Sequence, residues 1–297
     1  MNTAPIGIFD SGLGGLTVAH EMRRMLPNES LIYLGDTARC PYGPRDPREV
    51  RRFVLEIGSY LVDAGVKMLV IACNTGTAAG LAAAQRAFDI PVIGVVEPGA
   101  RAAVRATHSR RVGVIGTTGT INSGAYSSAV RAIDAGVTVF STATPLFVDI
   151  VERGLLFDGS PVAGDGAGFH DVYLDPKFYE VARDYLAPLR DSDIDTLVLG
   201  CTHYPLLKSA IAQVMGPDVD LVSSASETAA EVRETLERSG DIAGLDRVAS
   251  HRFITTGEPE EFSRLGSRVF GAELGLVEHL PVEQLESSLS NRAKSEL

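Results

Sequence analysis

The sequence predicts an α/β protein of two pseudo-symmetric domains, each a mainly parallel sheet flanked by helices, with its site in the cleft between them. Three observations carry this. First, short runs rich in Val, Ile and Leu alternate with longer segments of helical period, the pattern of buried parallel strands joined by crossover helices. Second, one strand-and-turn segment occurs twice. MLVIACNT at 68–75 resembles TLVLGCTH at 196–203, and IGIFDS at 6–11 has a weaker echo in VGVIGTT at 112–118, so the chain reads as internally duplicated. Third, all four segments end in polar residues at a strand's carboxyl end, where open α/β sheets take their ligands. Two facing lobes would pool these clusters.

The predicted strands lie at 6–9, 31–34, 68–72, 92–96, 112–115, 137–140, 196–199, 219–222 and 252–255. Nine are many for one open sheet, which again favours two. The helix after the second strand is legible in detail: Asp46 as N-cap, Pro47 in the first turn, Glu49 completing a capping box and Gly65 as the stop. Its apolar residues Val50, Phe53, Val54, Ile57 and Leu61 share one face. The stretch 154–170 carries five glycines and no hydrophobic period, and reads as a long mobile loop. The polar segment 287–297 has little to bury and is expected to fray.

Composition narrows the function. The 297 residues hold 27 Lys+Arg against 38 Asp+Glu, a net charge of −11 that gives no general attraction for a phosphate backbone and disfavours nucleic acid as a partner. No apolar run is long enough to span a membrane, so the expected compartment is the cytoplasm. Cys40, Cys73 and Cys201 are too few and wrongly spaced for a disulfide framework, a redox pair or a zinc ribbon. No metal site is expected.

Cys73 and Cys201 end matched strands. A cysteine there is commonly a small core residue, yet burial alone predicts no matching pair. At a helix N-terminus a thiol gains nearby positive charge, which lowers its pKa. Two thiols presented from opposite lobes can flank one carbon. Inverting a hydrogen-bearing stereocentre needs that arrangement: one group takes the proton from one face while the other returns one from the opposite face. Cys40 lacks this setting and reads as structural. Asp10 orients a thiol or accepts from a ligand amine in one reading and caps a helix in the other. His203, two residues after Cys201, is a general acid/base or thiolate partner in one reading and a capping residue in the other. Ser11, Asn74, Thr75, Thr117 and Thr202 are favoured caps, and together they make a cradle for carboxylates. The glycines after Asp10 match neither the dinucleotide fingerprint nor a Walker A loop, so no nucleotide cofactor is expected.

The segments IGIFDSGLGG at 6–15, Gly35-Asp36 through Pro41-Tyr42-Gly43, ACNT at 72–75, Gly116-Thr117 and GCTHYP at 200–205 together resemble the glutamate racemases of the cofactor-independent aspartate/glutamate racemase superfamily. The likeness runs from Ile6 to about Leu280. It implies an isomerase that interconverts L- and D-glutamate without cofactor or metal, supplying D-glutamate for peptidoglycan, cell-wall biogenesis and cell shape, as a cytoplasmic homodimer. It implies that Cys73 takes the α-proton of D-glutamate and Cys201 that of L-glutamate. Asp10 would assist Cys73, with His203 and Glu152 on the other side. Asp10, Ser11, Tyr42, Gly43, Asn74, Thr75, Thr117, Thr202 and His203 would hold substrate. It also divides the chain into 1–98 plus 207–297, and 99–206. On the sequence alone Glu152 is an exposed helix residue. The Gly-rich stretch is longer than in the family and is expected to act as a lid that excludes water. An aspartate racemase and a two-lobed amino-acid binding module stand as alternatives.

Overall fold

The computed structural model of the chain describes residues 2–157 and 177–295. Among these residues ten strands form two sheets, their pairings all parallel. They are β1 (Ile6–Asp10), β2 (Leu31–Gly35), β3 (Met68–Ile71), β4 (Val92–Gly94), β5 (Arg111–Gly116), β6 (Thr138–Ala143), β7 (Thr196–Gly200), β8 (Asp220–Ser223), β9 (His251–Thr255) and β10 (Val277–His279). The helices between and beyond them are α1 (Leu16–Met25), α2 (Pro47–Asp63), α3 (Asn74–Ala87), α4 (Val96–Ala106), α5 (Thr118–Asn122), α6 (Ala125–Ile133), α7 (Leu146–Phe157), α8 (Lys177–Arg190), α9 (Lys208–Met215), α10 (Ser224–Ser239), α11 (Pro259–Phe270) and α12 (Val282–Ser295).

Strand order states the duplication directly. One sheet runs β10-β9-β2-β1-β3-β4 and the other β6-β5-β7-β8. Within the first, β2-β1-β3-β4 repeats the order of the second, so β1 corresponds to β5 and β3 to β7. The central strands β1, β2, β3 and β7 are buried along their whole length, as expected for parallel strands covered on both faces. The edge strands β6 and β8 are partly exposed. Helix α2 starts as the sequence predicts: the Asp46 carboxylate accepts the Arg48 amide, and Val50, Phe53, Val54, Ile57 and Leu61 are buried.

Three expectations need correction. The second sheet does not end at residue 206. Helix α9 is the crossover from β7 to the parallel strand β8, so the chain leaves this sheet only after Ser223. Residues 92–96 split, because Val95 already has helical backbone and α4 follows at once. The C-terminal segment is helical: α12 buries Leu285 in the apolar cluster that holds Val54, Ile57 and Leu61 of α2. That contact orders a helix whose other face is polar. Strand β10 escaped the sequence reading because its three residues carry one apolar side chain, Val277, followed by Glu278 and His279. Helix α7 takes in the start of the Gly-rich stretch, and the lid expected there otherwise lies outside the described residues. No helix among the described residues is long and apolar enough to cross a membrane.

Candidate active site

In the order 2-1-3-4 the chain reverses direction across the sheet between the first and third strands, and ligands collect beyond the carboxyl ends at that point. The reversal puts Asp10 and Cys73 together in one lobe, and the Gly116-Thr117 and Cys201 turns together in the other. The two lobes then close on one cavity of about 20 Å³, room for about one water molecule. Both Cys73 and Cys201 line it, with Ser11, Tyr42, Gly43, Asn74, Thr75, Thr117, Thr202 and His203. Cys40, Pro41 and Val148 complete the wall.

Cys73 caps α3, its Sγ accepting the Gly76 N–H at 3.3 Å. The Ser11 hydroxyl lies 3.8 Å from the same sulfur. The expected lowering of this thiol's pKa is overturned. Burial pushes it well above its ordinary value and the nearby Asp10 charge adds to that, outweighing the Gly76 N–H and Ser11. Cys73 therefore rests as a thiol.

Cys201 stands in a different turn. A tight turn and a 3-10 segment (Tyr204–Leu207) precede α9, so Cys201 caps no helix. Its neighbour is the imidazole of His203, Nδ1 to Sγ 3.7 Å, and His203 Nε2 lies 3.4 Å from Glu152 Oε1. Burial alone would lower the His203 pKa. The Cys201 sulfur and the Glu152 carboxylate outweigh it and hold the imidazole well above its ordinary value. Burial likewise pushes Glu152 up, but His203 and Cys40 pull it below the usual carboxylate range. Glu152 is thus not the exposed helix residue of the sequence reading. Its side chain is 41% exposed and turned toward His203.

Asp10 is fully buried, and its Oδ2 accepts the Gly12 and Gly15 amides at 3.2 and 2.9 Å. The remaining oxygen, Oδ1, has no hydrogen-bond partner among the described residues. Asp10 does not itself line the cavity. The glycines that follow serve close approach rather than a nucleotide. A Cβ at Gly14 would sit 2.5 Å from Thr202 Oγ1 and 2.6 Å from His203 Nδ1, and one at Gly15 only 2.4 Å from the Asp10 Cβ. Only bare backbone lets the first lobe reach the Cys201 turn.

The cradle residues divide. Thr75 and Thr117 meet across the lobes, hydroxyl to hydroxyl, at 2.8 Å, and Thr120 closes the triangle at 3.2 and 3.1 Å. The Gly119 N–H donates to the Gly43 carbonyl at 3.0 Å, a second bond between lobes. Thr202 gives its carbonyl to the Thr17 hydroxyl at 3.2 Å. Asn74 Oδ1 accepts from Tyr126, leaving the buried Nδ2 without a partner among the described residues. The Tyr42 hydroxyl is bound to Asp36, so this residue offers the cavity its ring and backbone rather than its oxygen. Asp36 also accepts from Arg39 and Thr256, which fixes the 39–43 loop. Sequence reasoning missed Thr120 and Tyr126. Thr120 sits three residues after Thr117, a helical spacing that could have found it; Tyr126 gives no local signal.

Among the described residues no group of three or more His, Cys, Asp and Glu side chains is placed to hold a metal ion. The arrangement offers two thiols from matched strand ends, one beside an imidazole and a carboxylate, and hydrogen-bond donors for an anion.

The chain is similar to known racemases in sequence and in fold. The family described as Asp/Glu/Hydantoin racemase matches residues 6–232. A glutamate racemase of Bacillus cereus is 47% identical over 94% of this chain and 97% of its own. The crystal structure of the glutamate racemase isoform RacE1 from Bacillus anthracis superposes with a TM-score of 0.85 at 44% identity, covering 95% of this chain and 99% of that one. The glutamate racemase of Francisella tularensis, solved in complex with D-glutamate, gives 0.83 at 33% identity over 97% and 100% of the two chains.

Proposed function

The chain belongs to the Asp/Glu/hydantoin racemase family and is a racemase, and from that premise we propose that it interconverts L- and D-glutamate by proton transfer between two cysteines. The observation that carries the reading is that Cys73 and Cys201, at the ends of the equivalent strands β3 and β7, line one cavity from two different sheets. In the L-to-D direction Cys201 takes the α-proton and Cys73 delivers one to the opposite face. The reverse direction exchanges the roles, with nothing else transferred. The resting thiol at Cys73 is the acid that the L-to-D direction needs. His203, held by Glu152, balances negative charge at Cys201. Beside Cys73 stands Asp10, whose charge favours the protonated sulfur and so assists Cys73 as the acid.

Glutamate brings two carboxylates to a chain of charge −11, so local donors must hold them. Asn74 Nδ2, the hydroxyls of Ser11, Thr75, Thr117 and Thr202, and backbone amides of the Gly43 and α3 turns supply these. The reading includes D-glutamate supply for peptidoglycan, a cytoplasmic location and a homodimer. It is tested by incubation with L-glutamate in heavy water, following optical rotation and α-deuterium. Loss of rotation with solvent deuterium in the D-product is expected. Inversion without deuterium, or no inversion at all, overturns it.

A further inference from the structure

Cys40 has no part in the two-thiol scheme, yet it stands where the two halves of the site meet. It lines the reaction cavity and also a second, outer cavity of about 340 Å³, together with Glu152, Glu258, Glu261 and Phe262. Its Sγ lies 3.9 Å from Glu152 Oε1, the same oxygen that stands 3.4 Å from His203 Nε2. His203 Nδ1 in turn lies 3.7 Å from Cys201 Sγ. One carboxylate oxygen is thus shared between a thiol and the imidazole that serves the second reacting cysteine.

The arrangement addresses a physical difficulty. Glu152 is partly exposed and opens on a cavity lined by two more carboxylates, Glu258 and Glu261. Water in that cavity competes with His203 for the carboxylate and favours swinging it outward. A second donor to the oxygen that faces His203 opposes that swing, and among the residues lining both cavities only Cys40, besides the proline beside it, is on hand. Cys40 itself is fixed: the 39–43 loop is tied through Asp36, and a Cβ at Gly12 would come to 3.3 Å from its Sγ. Burial keeps this thiol protonated, a donor rather than a nucleophile.

We propose that Cys40 is a positioning residue for the reaction, its S–H donating to Glu152 and holding that carboxylate against His203. The proposal rests on the racemase reading above. Its test uses Cys40→Ala and Cys40→Val, which remove the donor with and without loss of volume, and Cys40→Ser, which keeps one. Two quantities are followed: the acid limb of kcat/KM for glutamate racemisation, and the His203 midpoint by NMR without substrate. The titrating groups facing Glu152 are His203 and Cys40, with Glu258 and Glu261 across the cavity, and only Cys40 changes. Losing a donor to the anion raises the Glu152 midpoint, so the acid limb moves up by roughly half to one pH unit, and the His203 midpoint falls. Cys40→Ser returns both toward the wild type. Unmoved limb and midpoint in Cys40→Val overturn the proposal, as does a Cys40→Ser shift equal to that of Cys40→Val, which would assign the effect to packing. Should Cys40→Ala fail to fold, the Val and Ser pair decides alone. Should the wild type fail to invert glutamate, the racemase reading falls, while the His203 midpoint still decides what Cys40 does.

Discussion

The Cys73 and Cys201 turns share a strand, a position in the sheet and a cysteine, and differ in almost everything that sets the state of the sulfur. Cys73 opens α3 and is governed by burial, one backbone amide, Ser11 and the charge of Asp10. Cys201 precedes a 3-10 segment and is governed by an imidazole backed by a carboxylate. The lesson is that duplication reproduces where a group is placed, while the side chains around it decide which proton it holds. Asn74 and Thr75 in one copy stand where Thr202 and His203 stand in the other. A single change, Thr75 against His203, puts a titrating base beside one sulfur and a lobe-bridging hydroxyl beside the other.

The largest effect should come from erasing either member of the pair. Cys73→Ser and Cys201→Ser each lower turnover in both directions by about 10²–10⁴-fold or more, read by polarimetry. If one variant retains wild-type turnover, the two turns are not partners. Next, His203→Asn removes the imidazole that stands between Cys201 and Glu152 and should cost about 10–10²-fold in kcat/KM. Thr75→Val, the equivalent position beside Cys73, should spare the chemistry and act mainly on KM. Equal kcat losses in the two would erase the distinction drawn here.

The smallest effect is on stability. Cys73 has a folded-state pKa raised above its unfolded value, so the folded chain keeps this proton longer. Its contribution is whole below the ordinary thiol value of 9.0 and drains away as pH rises beyond it. Thermal midpoints from pH 7 to pH 10.5 should therefore fall more steeply for the wild type than for Cys73→Ala. Parallel curves would mean that the Cys73 environment does not penalise the anion.

Much of this was legible beforehand because it rests on local pattern. Buried parallel strands declare themselves as apolar runs, and Asp46 and Pro47 announce α2 by capping chemistry, while Glu49, expected to close a capping box, pairs with Arg45 instead. The pairing of Cys73 with Cys201 could be read from repetition. What could not be read depends on distant contacts. Leu285 orders α12 only by packing on α2. The Tyr42 hydroxyl looks like a ligand group until Asp36 is found beside it. Glu152 becomes half-buried only because His203 and Cys40, far away in the chain, converge on it. The direction of the Cys73 shift is a contest between burial and a helix terminus, and sequence names only the second.

The hydroxyls of Thr75 and Thr117 touch across the lobes over a chamber no bigger than a water molecule. An amino acid cannot lodge in so small a space. Substrate must therefore widen the space between the lobes, and the threonine and glycine bonds that join them resist that widening as the sulfur chemistry waits behind it.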